Sequence, residues 1–184
     1  MFSLKVNEEV SLKLLQMEDA QELFELVDHS RDYLREWLPW VDNMKEEEDY
    51  LPVIEMWLKQ FSSHDGFQAG IVHNGRLAGM VGFHGIDWSN KKTSIGYWLS
   101  DKFQDKGIMT AAVNELIVQA FEEYNLNRIE IQCGIENKKS QGIPRRLGFK
   151  PDGIIKDAEY LYDHFHDTIL YSLLSKEWNE YRES

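Results

Sequence analysis

A polar segment at residues 104–110 constrains the fold more than any other part of the chain, because it joins a strand-like run to a helix-like run. The alternation of residues 93–99 predicts the strand, and the periodicity of residues 111–124 predicts the helix. The first N–H groups of a helix lack acceptors within it, and the helix dipole places partial positive charge there. The segment therefore predicts a phosphate-binding turn, at which Gly107 lets a ligand approach the backbone closely.

The glycine spacing separates this turn from two common nucleotide-binding motifs. It lacks the second and third glycines of the dinucleotide fingerprint, and it lacks the Gly-Lys-Ser/Thr of the P-loop. Lys106 supplies a cation and Thr110 a hydroxyl donor. The sequence thus predicts a phosphate site of another class, built mainly on backbone donors.

The bulk properties limit the class of protein. A length of 184 residues predicts one domain, residues 1–184, and the net charge of −12 argues against direct nucleic-acid binding. The acidic balance either favours an amine substrate or serves solubility, and the sequence leaves both open. Cys133 stands alone and is expected to be a buried core thiol. Without a spanning apolar run or a signal pattern, we expect a cytoplasmic protein with no membrane association.

The remaining periodicities predict a mixed sheet. Strands are expected at residues 4–15 (with a turn near Asn7), 67–72, 76–83, 91–99, 128–134, 153–160 and 166–174, and helices at residues 17–27, 30–37, 46–61, 107–124 and 140–147. Asn74-Gly75 is a strong hairpin signal. Because a long helix connects strands 91–99 and 128–134, these two strands are expected to run parallel. The order predicts an α/β protein with helices on both faces of the sheet.

Smaller features refine this plan. Ser30 is expected to cap the second helix and Pro39 to end it. The third helix is expected to place acidic residues in its first turn and to bury one apolar face. That face would comprise Leu51, Ile54, Trp57, Leu58 and Phe61.

Four segments resemble the GNAT superfamily of N-acetyltransferases, and in particular its RimJ/RimL branch. The superfamily motif Gln/Arg-x-x-Gly-x-Gly/Ala is matched at Gln104 and Gly107, whereas Met109 departs from its last position. Three further segments of the chain resemble this branch. They are Ile-Gly-Tyr-Trp-Leu at 95–99, Asn-x-x-Ser at 137–140 followed by Leu-Gly-Phe at 147–149, and the closing strands. The resemblance spans nearly the whole chain and implies the GNAT fold, a mixed, mostly antiparallel sheet of about seven strands.

The resemblance implies acetyl-CoA as cosubstrate and no metal. The pyrophosphate would lie on the N–H groups of residues 106–110, and the pantetheine arm would pair with the backbone of residues 97–99. Asn137 and Ser140 would face the arm and the sulfur. The implied cofactor-binding residues are Tyr97, Trp98, Leu99, Gln104, Lys106, Gly107, Ile108, Met109, Thr110, Asn137 and Ser140.

By the same resemblance, Ser140 and Glu159 are the expected catalytic pair. Ser140 would donate a hydrogen bond to the leaving sulfur, and Glu159 would accept the amine proton or hold the substrate N-terminus. Alternatively, Ser140 caps its helix and Glu159 is a solvated strand carboxylate. Ser94 stands where the branch commonly has glutamate, which removes another candidate base.

The acceptor is expected to be a protein N-terminus, and the resemblance to this branch suggests a ribosomal protein. The resemblance places Trp37 and Trp40 in the wall of its pocket, although plain core or dimer packing explains them equally well. Acetylation of small amines such as polyamines, and non-catalytic CoA binding, stay open as alternatives. His164 and His166 lack a third ligand at telling spacing, so no metal site is expected. Related enzymes are often dimers, and a homodimer or a higher homo-oligomer is expected here.

Overall fold

The computed structural model describes residues 2–183 and contains one eight-stranded sheet with six α-helices. The strands are β1 (Ser3–Lys5), β2 (Val10–Lys13), β3 (Gln68–His73), β4 (Arg76–Asp87), β5 (Lys92–Leu99), β6 (Arg128–Gly134), β7 (Lys150–Leu161) and β8 (His164–Leu174). The helices are α1 (Ala20–His29), α2 (Arg31–Arg35), α3 (Leu51–Ser62), α4 (Ile108–Val118), α5 (Lys138–Arg146) and α6 (Ser175–Glu183). The predicted domain, residues 1–184, includes one residue beyond this range at each end.

The sheet has the order β1-β2-β3-β4-β5-β6-β8-β7, and only β5 and β6 are parallel neighbours. Their pairing runs from Lys92 opposite Arg128 to Ser94 opposite Glu130 and then stops, although β5 continues to Leu99. Beyond Ser94 the two strands diverge and open a gap in the middle of the sheet. The predicted parallel pair is therefore confirmed, and its short register creates the cleft described below.

Apolar side chains cover both faces of the sheet, because successive residues of a strand point to opposite sides. On one face, Val81 and its neighbours pack under Val113 and Leu116 of α4. On the other face, Met80 belongs to the core that includes Leu23 of α1 and Ile54 of α3. The predicted mixed α/β sheet with helices on both faces is confirmed.

The structure corrects several local predictions. The first predicted strand is two strands, β1 and β2, while the predicted turn near Asn7 is confirmed, since the Asn7 side chain accepts hydrogen bonds from the backbone of Glu9 and Val10. The closing helix α6 was not predicted, and it buries Trp178 against Phe121. Leu51, which is the first residue of α3, is exposed.

Ser30 precedes α2 as predicted, but its side chain does not cap the helix. The buried hydroxyl of Ser30 instead contacts the hydroxyl of Ser100 at 2.7 Å and a carboxylate oxygen of Asp101 at 3.0 Å. These contacts tie the start of α2 to the end of β5. The Ser30 hydroxyl therefore bonds to residues 70 and 71 positions later in the chain and not to the first turn of α2. The local sequence around Ser30 carries no signal for such distant partners.

Candidate active site

A cleft of about 1040 Å³ opens where β5 and β6 diverge. Its lining includes every residue predicted to bind the cofactor, to react or to form the acceptor pocket. One end lies at the turn before α4, and the other lies beside β7 and the aromatic side chains that follow α2. The structure therefore gathers residues from across the chain at one gap in the sheet.

Gly107 shapes the end of the cleft that lies at α4. Its φ of 72° is left-handed, a conformation that glycine adopts without strain. Its carbonyl accepts the N–H of Ala111 at 3.0 Å, so the earlier N–H groups, at Ile108 to Thr110, stand at the open end of the helix. A Cβ built on Gly107 would meet no atom within 4 Å, so the space above this turn is open to a ligand.

Cations surround this turn although the chain is strongly acidic. Arg146 of α5 donates to the Thr110 hydroxyl at 3.2 Å, and Lys139 donates to the Gln104 amide oxygen at 2.8 Å. Lys106 lies in the turn itself, whereas Lys138 turns away to the carbonyl of Ile135. Sequence reasoning missed Arg146, because nothing local links the end of α5 to a turn 36 residues earlier. The arrangement suits a ligand with several phosphates.

The free edge of β5 forms one wall of the cleft. Residues 97–99 lie beyond the last residue that pairs with β6, and Tyr97, Trp98 and Leu99 all line the opening. Their backbone groups on that side point into the gap, where an extended arm could pair with them. This is the geometry that the predicted pantetheine site requires.

Asn137, rather than Ser140, caps α5. The Asn137 side chain accepts the N–H of Ser140 at 3.1 Å, and the helix begins at Lys138. The alternative role of Ser140 as the cap is therefore wrong. Pro144 lies in the interior of this helix. The Ser140 hydroxyl is left available for the cleft.

Three polar side chains meet beside the free edge of β5. The Ser140 hydroxyl lies 3.4 Å from the Tyr97 hydroxyl and 3.4 Å from the Cys133 sulfur, and the Tyr97 hydroxyl donates to the Ser140 carbonyl at 2.8 Å. Burial raises the pKa of Tyr97 well above 10 and also raises the pKa of the Cys133 thiol. All three groups therefore keep their protons at neutral pH. Cys133 is buried as predicted, yet it borders the cleft.

Glu159 is held in place by a bulge and by a histidine. Three residues of β7, 156–158, stand opposite the single Asp167 of β8, whose carboxylate accepts the N–H of Asp157 at 2.9 Å. Bulges of this kind redirect the neighbouring side chain. Glu159 lies 2.7 Å from Nε2 of His166, and the His166 side chain is only 13% exposed. Glu159 is therefore a carboxylate with one defined partner, although its side chain is still 44% exposed.

His84 of β4 is a further ionisable residue of the cleft, and the sequence analysis did not select it. Its imidazole lies over Gly96 of β5, where an added Cβ would collide with the ring. Desolvation by the cleft walls lowers the pKa of His84, and the nearby charge of Glu159 opposes that shift. The one available sequence signal was a glycine inside a strand, which often marks a close approach.

Aromatic side chains close the end of the cleft opposite the turn. The ring carbon Cζ3 of Trp37 lies 3.4 Å from the position that a Cβ on Gly134 would take. The ring centroids of Trp40 and Trp98 are 6.0 Å apart. Nearby, the Tyr162 hydroxyl donates to the carbonyl of Leu38 and so fastens the β7–β8 hairpin to this segment. Trp37 and Trp40 are half-buried and border the opening, and their part in acceptor binding stays a prediction.

Two further sets of polar contacts lie at the β7 end of the sheet. Asp152 accepts hydrogen bonds from Arg128 and Ser172 at the sheet edge. His164 pairs with Asp163 at the hairpin tip while His166 pairs with Glu159. Within residues 2–183, no group of three His, Cys, Asp or Glu side chains is placed to hold a metal ion. None of the helices in that range is long and apolar enough to cross a membrane.

Comparison with known proteins gives consistent matches over the chain. The family model described as an acetyltransferase (GNAT) domain matches residues 9–150. The "Putative ribosomal N-acetyltransferase YdaF" of Bacillus subtilis is 40% identical over 179 residues, which cover 97% of this chain and 98% of the relative.

Two solved structures are also similar. The microcin C7 self-immunity acetyltransferase MccE, in complex with acetyl-CoA and AMP, has a TM-score of 0.88 and 32% identity, covering 92% of this chain and 94% of its own. RimL, a ribosomal L7/L12 alpha-N-protein acetyltransferase in complex with coenzyme A, has a TM-score of 0.90 and 25% identity, covering 94% and 98%. In that complex coenzyme A forms a disulfide with a cysteine of the enzyme.

Proposed function

The chain belongs to the GNAT family of acetyltransferases, and from that premise we propose that it transfers an acetyl group from acetyl-CoA to the N-terminal α-amino group of a protein. It is an acetyl-CoA-dependent acyltransferase by family. The observation that carries the finer proposal is the meeting of the α4 turn and the free edge of β5 in one cleft, with Ser140 and Glu159 at its far end. The ribosomal acceptors of similar enzymes suggest a ribosomal protein.

The cleft supports a defined course for acetyl-CoA. The diphosphate accepts hydrogen bonds from the N–H groups that follow Gly107. Its negative charge is balanced by Lys106, Lys139 and Arg146. The pantetheine arm lies along residues 97–99 and brings its thioester towards Ser140 and Cys133. A cysteine bound to coenzyme A in a similar enzyme is consistent with this course.

The residues near the thioester suit acyl transfer. The amine nitrogen attacks the thioester carbon, the C–S bond breaks, and the nitrogen loses a proton. The Ser140 hydroxyl, which is not used as a helix cap, donates a hydrogen bond to the sulfur as it becomes a thiolate. Glu159, fixed by His166, holds the amine of the acceptor. Donors aimed at a developing charge are among the larger contributions to catalysis.

An α-amine matches this site better than a lysine. The pKa of an α-amino group is about 7.7–8.0 and that of lysine about 10.4, so at neutral pH far more of the α-amine is unprotonated. Such an acceptor requires only a modest base. The cleft is also open to the surface beside Trp37 and Trp40, which gives room for a peptide to follow its first residue.

A small amine is the second candidate acceptor. It is favoured by the net charge of −12 and by the likeness to MccE, whose complex contains AMP. A third possibility, CoA binding without catalysis, rests on the departures at Ser94 and Met109. These candidates differ in a simple assay.

The test is release of free thiol from acetyl-CoA with a panel of acceptors. The panel contains peptides that begin with Ser, Ala or Met, beside free polyamines and an aminoacyl nucleotide analogue. Turnover with peptides supports the proposal, and turnover with small amines alone replaces it by the second candidate. Tight binding of acetyl-CoA without thiol release for any acceptor would favour the non-catalytic role.

A further inference from the structure

We propose that His84 is the general base that takes the proton of the acceptor amine, an assignment that rests on the proposed function. The imidazole lies at the surface of the cleft, directly over Gly96 of β5. In the observed rotamer the ring fills the space that a Cβ on Gly96 would occupy. His84 is exposed, and its ring borders the cleft beside Gly96.

That place corresponds to the reactive end of the cofactor. The phosphate turn follows the carboxyl end of β5, so an arm that starts there passes Leu99, Trp98 and Tyr97 before it reaches Gly96. The thioester therefore arrives at the level of His84, beyond the reach of the cations at the turn. Ser140 and Cys133 lie against Tyr97 at the same end.

The ionisable groups around His84 leave it free for proton transfer. Across the gap stand Glu159 and His166, which are already paired with each other at 2.7 Å. The carboxylate of Asp65, on the loop after α3, accepts the N–H of Ile86 at 2.7 Å. Among residues 2–183, no group forms a hydrogen bond with the imidazole of His84, whereas His166 donates to or accepts from Glu159. An imidazole without a partner beside the reacting atoms can accept a proton.

The protonation state also suits this role. Desolvation in the cleft keeps the pKa of His84 below 6.5, with the charge of Glu159 opposing the shift. The ring is therefore neutral at physiological pH and becomes charged as the pH falls. Activity that depends on the neutral ring should rise with pH through that pKa, and it should rise further through the pKa of the acceptor α-amine, about 7.7–8.0, because only the neutral amine attacks.

The reaction then balances as follows. The amine nitrogen forms a bond to the acetyl carbon, the carbon–sulfur bond breaks, and the electron pair leaves on sulfur. The proton lost by nitrogen passes to the free imidazole nitrogen of His84 and then to solvent. The thiolate, hydrogen-bonded by Ser140, takes up a proton from solvent. Glu159 is left with the other role predicted for it, that of holding the amine.

The test compares His84→Gln with the wild-type enzyme on the best acceptor of the panel. We expect kcat/KM to fall by about 10²–10³-fold, within the range of general-base catalysis, and the slope of log kcat/KM against pH below the pKa of His84 to fall from two to one, since only the amine still titrates. Acetyl-CoA affinity, measured by calorimetry, should change by less than about threefold, since no phosphate contact is lost. In a second variant, His84→Gly, added imidazole should restore part of the activity.

A matched control is His29→Gln, because His29 is exposed on α1 and its ring forms a local hydrogen bond with the carbonyl of Glu25. Its pH profile should equal that of the wild type. If wild-type enzyme is active and His84→Gln keeps both its rate and the wild-type slope of its acidic limb, the assignment is wrong and the proposed function stands. If the wild type transfers acetyl to no acceptor, both are wrong.

Discussion

The hydroxyl of Ser140 is the group whose loss should affect chemistry most selectively. Because Asn137 caps α5, Ser140→Ala removes no cap and should leave stability within about 0.5 kcal/mol. Loss of a donor to the leaving sulfur should lower kcat by about 10²-fold. Steady-state kinetics at saturating substrates measure this. Ser62→Ala, an exposed serine on α3, is the control, and an equal effect there would contradict the assignment.

Arg146 should govern cofactor affinity rather than the rate of transfer. Its guanidinium lies at the phosphate turn, so Arg146→Ala removes one charged donor to the cofactor. We expect the KM for acetyl-CoA to rise about tenfold with kcat nearly unchanged, in line with the value of a charge-assisted hydrogen bond. Arg145→Ala is the matched control, since Arg145 contacts Gln141 and Tyr171 instead. A fall in kcat with unchanged KM would contradict this role.

The turn before α4 is the element on which cofactor binding depends. Gly107→Ala forces alanine into a left-handed conformation, at a cost of about 1–2 kcal/mol in folding free energy. The added methyl also occupies the open space where phosphate is expected. We expect lower stability in urea denaturation and weaker acetyl-CoA binding in calorimetry. The control is Gly148→Ala, because Gly148 is also left-handed and follows α5. It should lower stability in urea without weakening acetyl-CoA binding.

The strand–turn–helix unit could be predicted from the sequence because its signals are local. Alternation identified β5, periodicity identified α4, and the glycine marked the turn between them. His84 and Arg146 could not be identified in this way. His84 becomes part of the site only through its position over Gly96, and Arg146 only through the packing of α5 on α4. The Ser30 cap failed for the same reason, since its partner is Ser100.

The end of the sheet is the part of the whole molecule that suggests self-association. The edge strand β7 is exposed along most of its length, and Ile154, Tyr160 and the neighbouring Phe165 are each more than half exposed. Edge strands with apolar side chains are usually covered. This strand carries both Lys156 and Asp152, so antiparallel pairing with a second copy can bring opposite charges together.

We therefore expect a homodimer joined through β7. Light scattering after size exclusion should give twice the mass of 21.7 kDa. Ile154→Lys should return the protein to a monomer, because it places charge on the apolar edge. Met56→Lys, on the exposed surface of α3, is the control and should leave the dimer intact. A monomer for the wild-type protein would contradict this prediction.

The position of the transferred acetyl group tests the central claim of α-amine acetylation most directly. A peptide that begins with serine and carries an internal lysine offers both amines to the enzyme at equal concentration. After incubation with acetyl-CoA, fragment masses locate the acetyl group. We expect it on the N-terminal nitrogen, because roughly a thousandth or less of the lysine is unprotonated near pH 7. Acetylation at lysine, or of small amines only, would contradict the account.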